Sequence, residues 1–312
     1  MTFNEETHTF GGMKKFYASL LYGISRLYAS LPMPVMFLIS DIIIFPIVYH
    51  IGRYRRKVVR KNLANSFPTL TPLELKRIER RFYRHFCDNV QETVRVLAMK
   101  EKEAKKRMVF VNPELLTSFA EKGQGVLLVL GHYGNWEYQP FLFPYIKASG
   151  LQEGLNVYRP LKNEAFDELM KKIRVHFGGA NVTKNETYRT VVRLRKSGRT
   201  GLFGMVSDQS PSRGNLIYWT NFLNQDTSIL TGPERMAKQT GFAVVYSDVS
   251  KTARGCYQSE FKVISDTPAE TAEFEITEKY ARMMEETILR DPAFWLWTHK
   301  RWKHKRPNTD QA

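Results

Sequence analysis

Val126-Leu127-Leu128-Val129-Leu130-Gly131-His132-Tyr133-Gly134-Asn135-Trp136-Glu137 is the stretch from which the fold of this chain is read. Five consecutive apolar residues are expected to form a buried strand. Within the next seven come two glycines, a histidine, an asparagine suited to capping a helix, and a carboxylate. The order is strand, tight turn, helix start. His132 and Glu137 would sit about 140° apart around a regular helix, so they meet only if the chain turns between them. Gly131 and Gly134 permit that turn. A histidine able to take a proton, with a carboxylate fixing its tautomer, is the minimal equipment for activating a hydroxyl. The same residues also suit a plain βα loop with a capping Asn135 and a buried His132, and spacing alone does not separate the two.

Moving outward, strands are expected at 155–158, 201–206, 242–249 and 256–264, with helices at 163–176, 187–196 and 271–289 between or after them. Thr71-Pro72-Leu73-Glu74 is a capping box with proline at the first helical position. Leu75, Ile78, Phe82, Phe86, Val90, Val94 and Leu97 then keep helical spacing to about Ala98, with His85 and Cys87 as packing residues of that helix. Asn112-Pro113 is expected to cap a short helix ended by Gly123 and Gly125, and Thr231-Gly232-Pro233-Glu234 repeats the capping-box chemistry. Pro140 and Pro144 imply that the helix after the motif is kinked or begins late. Alternation of helix and strand predicts an α/β domain, a central, largely parallel sheet flanked by helices. His132, Arg159 and Asp208 each follow the last residues of an expected strand, and ligands of open α/β sheets bind at that carboxyl edge.

The 312 residues suffice for a full core. An excess of 47 basic over 31 acidic side chains, a formal charge of +16, suits an anionic partner without choosing among a membrane surface, a phosphorylated glycolipid, an acidic carrier protein or nucleic acid. Cys87 and Cys256 offer neither metal spacing nor a disulfide framework, as expected of a reducing compartment. Residues 1–12 are expected to be poorly ordered. Residues 31–51 are apolar and about long enough to span a bilayer, but Asp41 lies at the centre, where a charge is expensive. Two short interfacial helices explain the stretch as well as one crossing does. Basic residues from Arg53 to Lys61 follow, favouring the cytoplasmic side. Trp295 to Arg306 interleaves aromatic and basic residues, which suits a membrane interface or single-stranded nucleic acid. The apolar N-terminal third favours the membrane and no nucleic acid.

Four blocks carry a resemblance to a known family: Gly131 to Glu137 with its His-x4-Glu, Tyr158 to Asn163, Ser207 to Ser210, and Trp297 to Lys303. In this order they resemble the lipid A late acyltransferase branch of the lysophospholipid acyltransferase superfamily, over nearly the whole chain. The resemblance implies transfer of a fatty acyl chain from acyl carrier protein to a hydroxyl of a lipid A precursor, an anionic glycolipid, at the cytoplasmic face of an inner membrane. It implies no cofactor and no metal. Residues 1–52 would form the membrane-associating segment and residues 53–312 the catalytic domain.

Acyl transfer needs a nucleophilic hydroxyl, a thioester carbonyl held beside it and donors for the oxyanion. His132 is then the general base and Glu137 orients it, as the acid does in a serine hydrolase triad. The acceptor hydroxyl attacks directly, without an acyl-enzyme. Arg159 is expected to grip a phosphate or support the oxyanion, or else to form a structural ion pair. Asp208 either holds Arg159, contacts the sugar or closes a strand-end turn. Gly131 and Gly134 bring backbone NH groups towards the reacting carbon, with Asn135 beside them. His299 is expected to pack or to meet headgroups. The chain departs from the family at Glu234 and across Trp219 to Asn224, positions expected to shape the acceptor or acyl pocket. Two other functions fit the same features: acylation of another glycolipid or phospholipid hydroxyl, and a non-catalytic basic protein that binds membranes or RNA.

Overall fold

The computed structural model describes residues 3–147 and 151–306, with side chains from Phe16 onward. Its strands are β1 (Met108–Phe110), β2 (Val126–Leu130), β3 (Glu153–Tyr158), β4 (Ala180–Thr183), β5 (Gly201–Val206), β6 (Tyr218–Phe222), β7 (Gln225–Ile229), β8 (Ala243–Ala253) and β9 (Cys256–Ser265). Seven of them make one sheet in the order β1-β9-β8-β2-β5-β3-β4, in which only β8 and β9 run antiparallel. The expected largely parallel α/β sheet is therefore present. β2 lies at its centre with all five residues buried, as a strand covered on both faces requires. Each such Val or Leu contributes about 1.5–3 kcal/mol of burial free energy, and together they fix the strand that carries the motif.

The helices are α1 (Phe3–Ala29), α2 (Met33–Ile39), α3 (Arg56–Ser66), α4 (Pro72–Arg95), α5 (Glu101–Arg107), α6 (Glu114–Glu121), α7 (Phe143–Lys147), α8 (Glu164–Arg174), α9 (Lys184–Lys196), α10 (Gly232–Thr240) and α11 (Glu275–Arg290). The Thr71 capping box forms in full, with Thr71 Oγ1 accepting from Glu74 NH and Glu74 Oε2 accepting from Thr71 NH. A 3-10 stretch from Trp136 to Leu142 precedes α7, so the prolines do delay the helix after the motif.

From Phe3 the backbone is helical, with Met1 and Thr2 outside the described residues. Two local expectations are corrected. Asn112 does not cap α6. Its amide bridges to β9, the sheet neighbour of β1, donating to Phe261 O and accepting from Phe261 NH. Thr231 has helical rather than extended backbone angles and makes no side-chain cap, and the Glu234 carboxylate turns to another helix, accepting from Phe274 NH, Thr277 NH and the Thr277 hydroxyl at the start of α11.

The apolar stretch forms a continuous helical run, α2 followed by two π-helical segments, Ser40–Ile44 and Pro46–Ile51. Met33–Ile51 is long and apolar enough to cross a membrane, and it is one helical run rather than two separated helices. Leu38, Ile42, Ile43, Ile47 and Ile51 are exposed. Asp41 is accommodated by a bidentate ion pair with Arg254, at 2.8 and 2.9 Å, and Arg254 also binds Asp88 of α4. The central charge is therefore paired at the junction with the sheet domain.

β6 and β7 form a separate hairpin, closed by Leu223 and Asn224 in left-handed conformations with φ of 51° and 59°. This two-residue turn, with Leu223 buried and Asn224 exposed, lies within the stretch 219–224 that departs from the family pattern.

Candidate active site

The parallel register of β2 and β5 builds the centre of the site. Leu130 is paired with Val206, and His132 and Asp208 each lie two residues beyond those strand ends. The two side chains meet there. Asp208 Oδ1 is 2.6 Å from His132 Nδ1, and Asp208 Oδ2 accepts from the His132 backbone NH at 2.9 Å and from the Trp295 indole at 2.7 Å. Burial alone would raise the Asp208 carboxyl. The adjacent His132, by charge and by hydrogen bonds, and Trp295 hold it down at about 2. The acid is an anion, fully enclosed, and its charge is directed at the imidazole.

With Nδ1 committed to Asp208, His132 presents Nε2 to a cavity of 610 Å³ lined also by Trp136, Glu137, Arg159, Lys162 and Gln209. The Gln209 amide nitrogen lies 3.1 Å from Nε2, and the Trp136 ring stands edge-on to the imidazole at 4.9 Å. With Nδ1 bonded to Asp208, Nε2 is the ring nitrogen turned towards the ligand space, the position from which a histidine can take a proton.

Glu137 does not meet His132. The 3-10 segment carries it towards α8, where Arg174 grips it with two hydrogen bonds of 2.9 and 2.6 Å. Both lie in the cavity wall. The His132 partner is thus Asp208, and the expected contact of Asp208 with Arg159 is not formed. Arg159 is exposed at the cavity rim and has no ion-pair partner among the described residues. It also borders a second, more apolar cavity of 610 Å³ that contains Met205, Leu230, Pro233 and Met236. The two cavities adjoin, sharing Val157, Tyr158, Arg159, Val206 and Gln209. Glu234 and residues 219–224 line neither cavity.

The motif turn is held from behind by α4. His85 Nε2 and Asn89 Nδ2 reach the Gly134 carbonyl at 3.2 and 2.8 Å, and Glu92 Oε2 accepts from Asn135 at 3.0 Å and from the Tyr257 hydroxyl at 2.8 Å. Asn135 in turn caps the 3-10 segment through Glu137 NH. Burial raises the Glu92 carboxyl, with Lys251, Tyr257 and Asn135 acting against it. Residues 85, 89 and 92 share one helix face, but the apolar spacing of α4 concealed this. Val90, in the expected stripe, is 47% exposed, whereas these polar residues are buried.

Gly134 has φ of 60°, which its neighbours in the turn would adopt only with strain. Its NH donates to Phe294 O at 3.0 Å, so it is spent within the protein. Leu296 NH likewise donates to His132 O. The aromatic and basic C-terminal segment is therefore largely interior: Trp295, Trp297 and Arg301 are buried, and His299 Nε2 accepts from Ser210 NH at 3.3 Å. Burial pushes the His299 pKa down to about 4, opposed by Asp208 and helped by Arg301. Trp295 and Gln209 are site residues whose roles nothing in the sequence announced, though Gln209 stands in a motif block.

Comparison with curated proteins gives no match. The family described as bacterial lipid A biosynthesis acyltransferase matches residues 6–304. That span holds the parallel sheet, the His132 and Asp208 pair and both cavities, and by it the chain belongs to the bacterial lipid A biosynthesis acyltransferase family.

Proposed function

We propose that this acyltransferase moves a fatty acyl chain from an acyl carrier protein thioester to a hydroxyl of a lipid A precursor, with His132 as general base. The observation that carries this reading is the 2.6 Å contact of His132 Nδ1 with Asp208 Oδ1, which turns Nε2 towards the cavity. The acceptor hydroxyl takes the place of the Gln209 amide at Nε2 and gives up its proton as its oxygen attacks the thioester carbonyl. The C–S bond then breaks, and the imidazolium returns the proton to the thiolate. Asp208 stabilises the imidazolium between these steps. No acyl-enzyme forms.

Arg159, unpaired at the junction of the two cavities, supports the oxyanion or holds an acceptor phosphate. Gly134 is not an oxyanion donor in this scheme, since its NH is already bonded. The apolar cavity beside Met205 and Met236 takes the acyl chain. Glu137 and Arg174 hold the opposite wall. Residues 1–52 are the membrane-associating segment of an inner-membrane protein whose catalytic domain, residues 53–312, faces the cytoplasm. The exposed Leu38, Ile42, Ile43 and Ile47 support that placement.

The test is acyl transfer by the detergent-solubilised full chain, with acyl carrier protein thioesters of several lengths and a lipid A precursor. Removal of the base by His132→Ala should lower the rate about 10²–10⁴-fold. A wild type that transfers only to another hydroxylated lipid changes the acceptor. Retained activity in His132→Ala overturns the mechanism.

A further inference from the structure

Beside His85, which holds the Gly134 carbonyl of the motif turn, lies a third cavity of 550 Å³. It shares no lining residue with the other two. Four cations border it, Arg81, Arg84, Lys251 and Arg254, against two carboxylates, Asp41 and Asp88. Arg254 is satisfied by both carboxylates, and Arg81 by Asp291 at 2.7 Å. The other two cations are not. Arg84 has only the Phe45 ring, at 5.6 Å, and neither it nor Lys251 has a carboxylate in ion-pair range among the described residues.

Lys251 is half-buried, and among the described residues its ammonium makes a single hydrogen bond, to His85 Nδ1 at 3.3 Å, beside the Phe294 ring at 4.9 Å. Burial lowers its pKa, and Glu92 only partly opposes this. An ammonium partly withdrawn from water with donors unspent is costly unless an anion completes it. His85 must accept from Lys251 at Nδ1, so its Nε2 carries the proton and donates to Gly134 O. The cavity is thereby wired to the motif turn.

The surroundings indicate what kind of anion fits. Asp41 and Phe45, from the apolar helical run, form one wall, and Ile42 and Ile43 beside them are exposed. A ligand whose charged end enters the cavity would leave any attached apolar chains against that run. The volume falls within the range of about 300–1,000 Å³ usual for small-ligand sites, more than a bare phosphate fills. We infer that this cavity is a binding site for the phosphate of an anionic phospholipid headgroup, gripped by Arg84 and Lys251.

Direct binding tests this without turnover, so its outcome is separate from that of the acyl-transfer reading. The detergent-solubilised full chain is titrated calorimetrically with dihexanoyl phosphatidylglycerol below its micelle concentration, and separately with inorganic phosphate. Wild type should bind the lipid saturably at one site and phosphate at least tenfold more weakly. Lys251→Met and Arg84→Gln should each weaken lipid binding tenfold or more, Lys251→Arg should retain most of it, and Lys196→Gln, a distant surface change, should leave it intact. Arg84 is exposed on α4, so its variant decides the matter should Lys251→Met fold poorly. Wild-type affinity in Arg84→Gln, or binding that never saturates, overturns the site. Phosphate binding as tightly as the lipid, and lost in both variants, overturns the lipid assignment.

Discussion

His132 and Asp208 occupy equivalent positions on adjacent parallel strands, each two residues past the paired Leu130 and Val206, and this register places their side chains 2.6 Å apart. The acid that orients the histidine therefore comes from the neighbouring strand, 76 residues away in sequence, and not from the same motif.

The two candidate acids should consequently separate in mutagenesis. Asp208→Asn removes the charge that stabilises an imidazolium and offers an amide that can favour the wrong tautomer, so kcat should fall on the order of 10²–10⁴-fold with little change in KM. Glu137→Gln leaves His132 untouched but weakens the Arg174 clasp. Loss of a charge-assisted pair costs about 1.5–3 kcal/mol, so this variant should show a lower Tm and a much smaller change in kcat. Steady-state kinetics and thermal unfolding of both proteins check the assignment, and equal losses of kcat would contradict it.

Asp208 also gives the fold a pH signature. Its carboxyl is held at about 2 in the native state, against about 3.9 in an unfolded chain. A depressed acid contributes stability that is present above the unfolded value and lost as pH falls through the folded one. The difference amounts to roughly 2–3 kcal/mol. The stability gap between wild type and Asp208→Asn should be full at pH 6 and close between about pH 4 and pH 2. Chemical denaturation at several pH values measures it, and a gap unchanged at pH 2 would remove the linkage.

Gly131 is needed for space. A Cβ there would lie 2.3 Å from Met284 Sδ and 3.3 Å from Asp208 Oδ2. Met284 is buried on α11, so its end must repack. Gly131→Ala should destabilise by about 1–3 kcal/mol. In the double variant with Met284→Ala the clash partner is gone, so the combined loss should be smaller than the sum of the two single losses. Strict additivity in denaturant titrations would show that Met284 is not the obstacle.

Much of this architecture could be read from hydrophobic runs. β2, β3, β5, β8 and β9 are apolar or alternating segments, and the sequence places them within a few residues of their observed limits. β4, β6 and β7 are short, and β4 and β7 are largely polar, so their pairing is decided by partners that a local pattern does not reveal. The site was legible in its members but not in its pairings. His132, Arg159 and Asp208 do follow strand ends, but which of them touch depends on strand order, which places β5 directly beside β2. Nearness in sequence suggested Glu137 for the partner of His132, and the 3-10 segment takes it elsewhere. The tryptophans of the last segment are ambiguous for the same reason. An amphipathic ring suits a membrane interface or a core with one buried acceptor, and Trp295 has Asp208 as that acceptor.

Glu92 supports the turn from a fully buried carboxyl group. Burial raises its pKa, and one carboxyl oxygen, Oε1, has no hydrogen-bond partner while the other receives Asn135 and Tyr257. An acid whose folded pKa is raised binds its proton more tightly in the native state, so its contribution to stability falls as pH rises from the unfolded value, about 4.3, through the folded one. Glu92→Gln reproduces the protonated shape, with its oxygen placed to accept both donors. That variant should match wild type near pH 5 and equal or exceed it in Tm at pH 8. Glu92→Leu leaves the Asn135 amide and the Tyr257 hydroxyl unsatisfied in the interior, a loss of about 1–3 kcal/mol for each group, and should be destabilised at both pH values. Thermal unfolding of the three proteins across this range decides the point. A Gln variant less stable than wild type at pH 8 would mean that the turn is held by a charged Glu92.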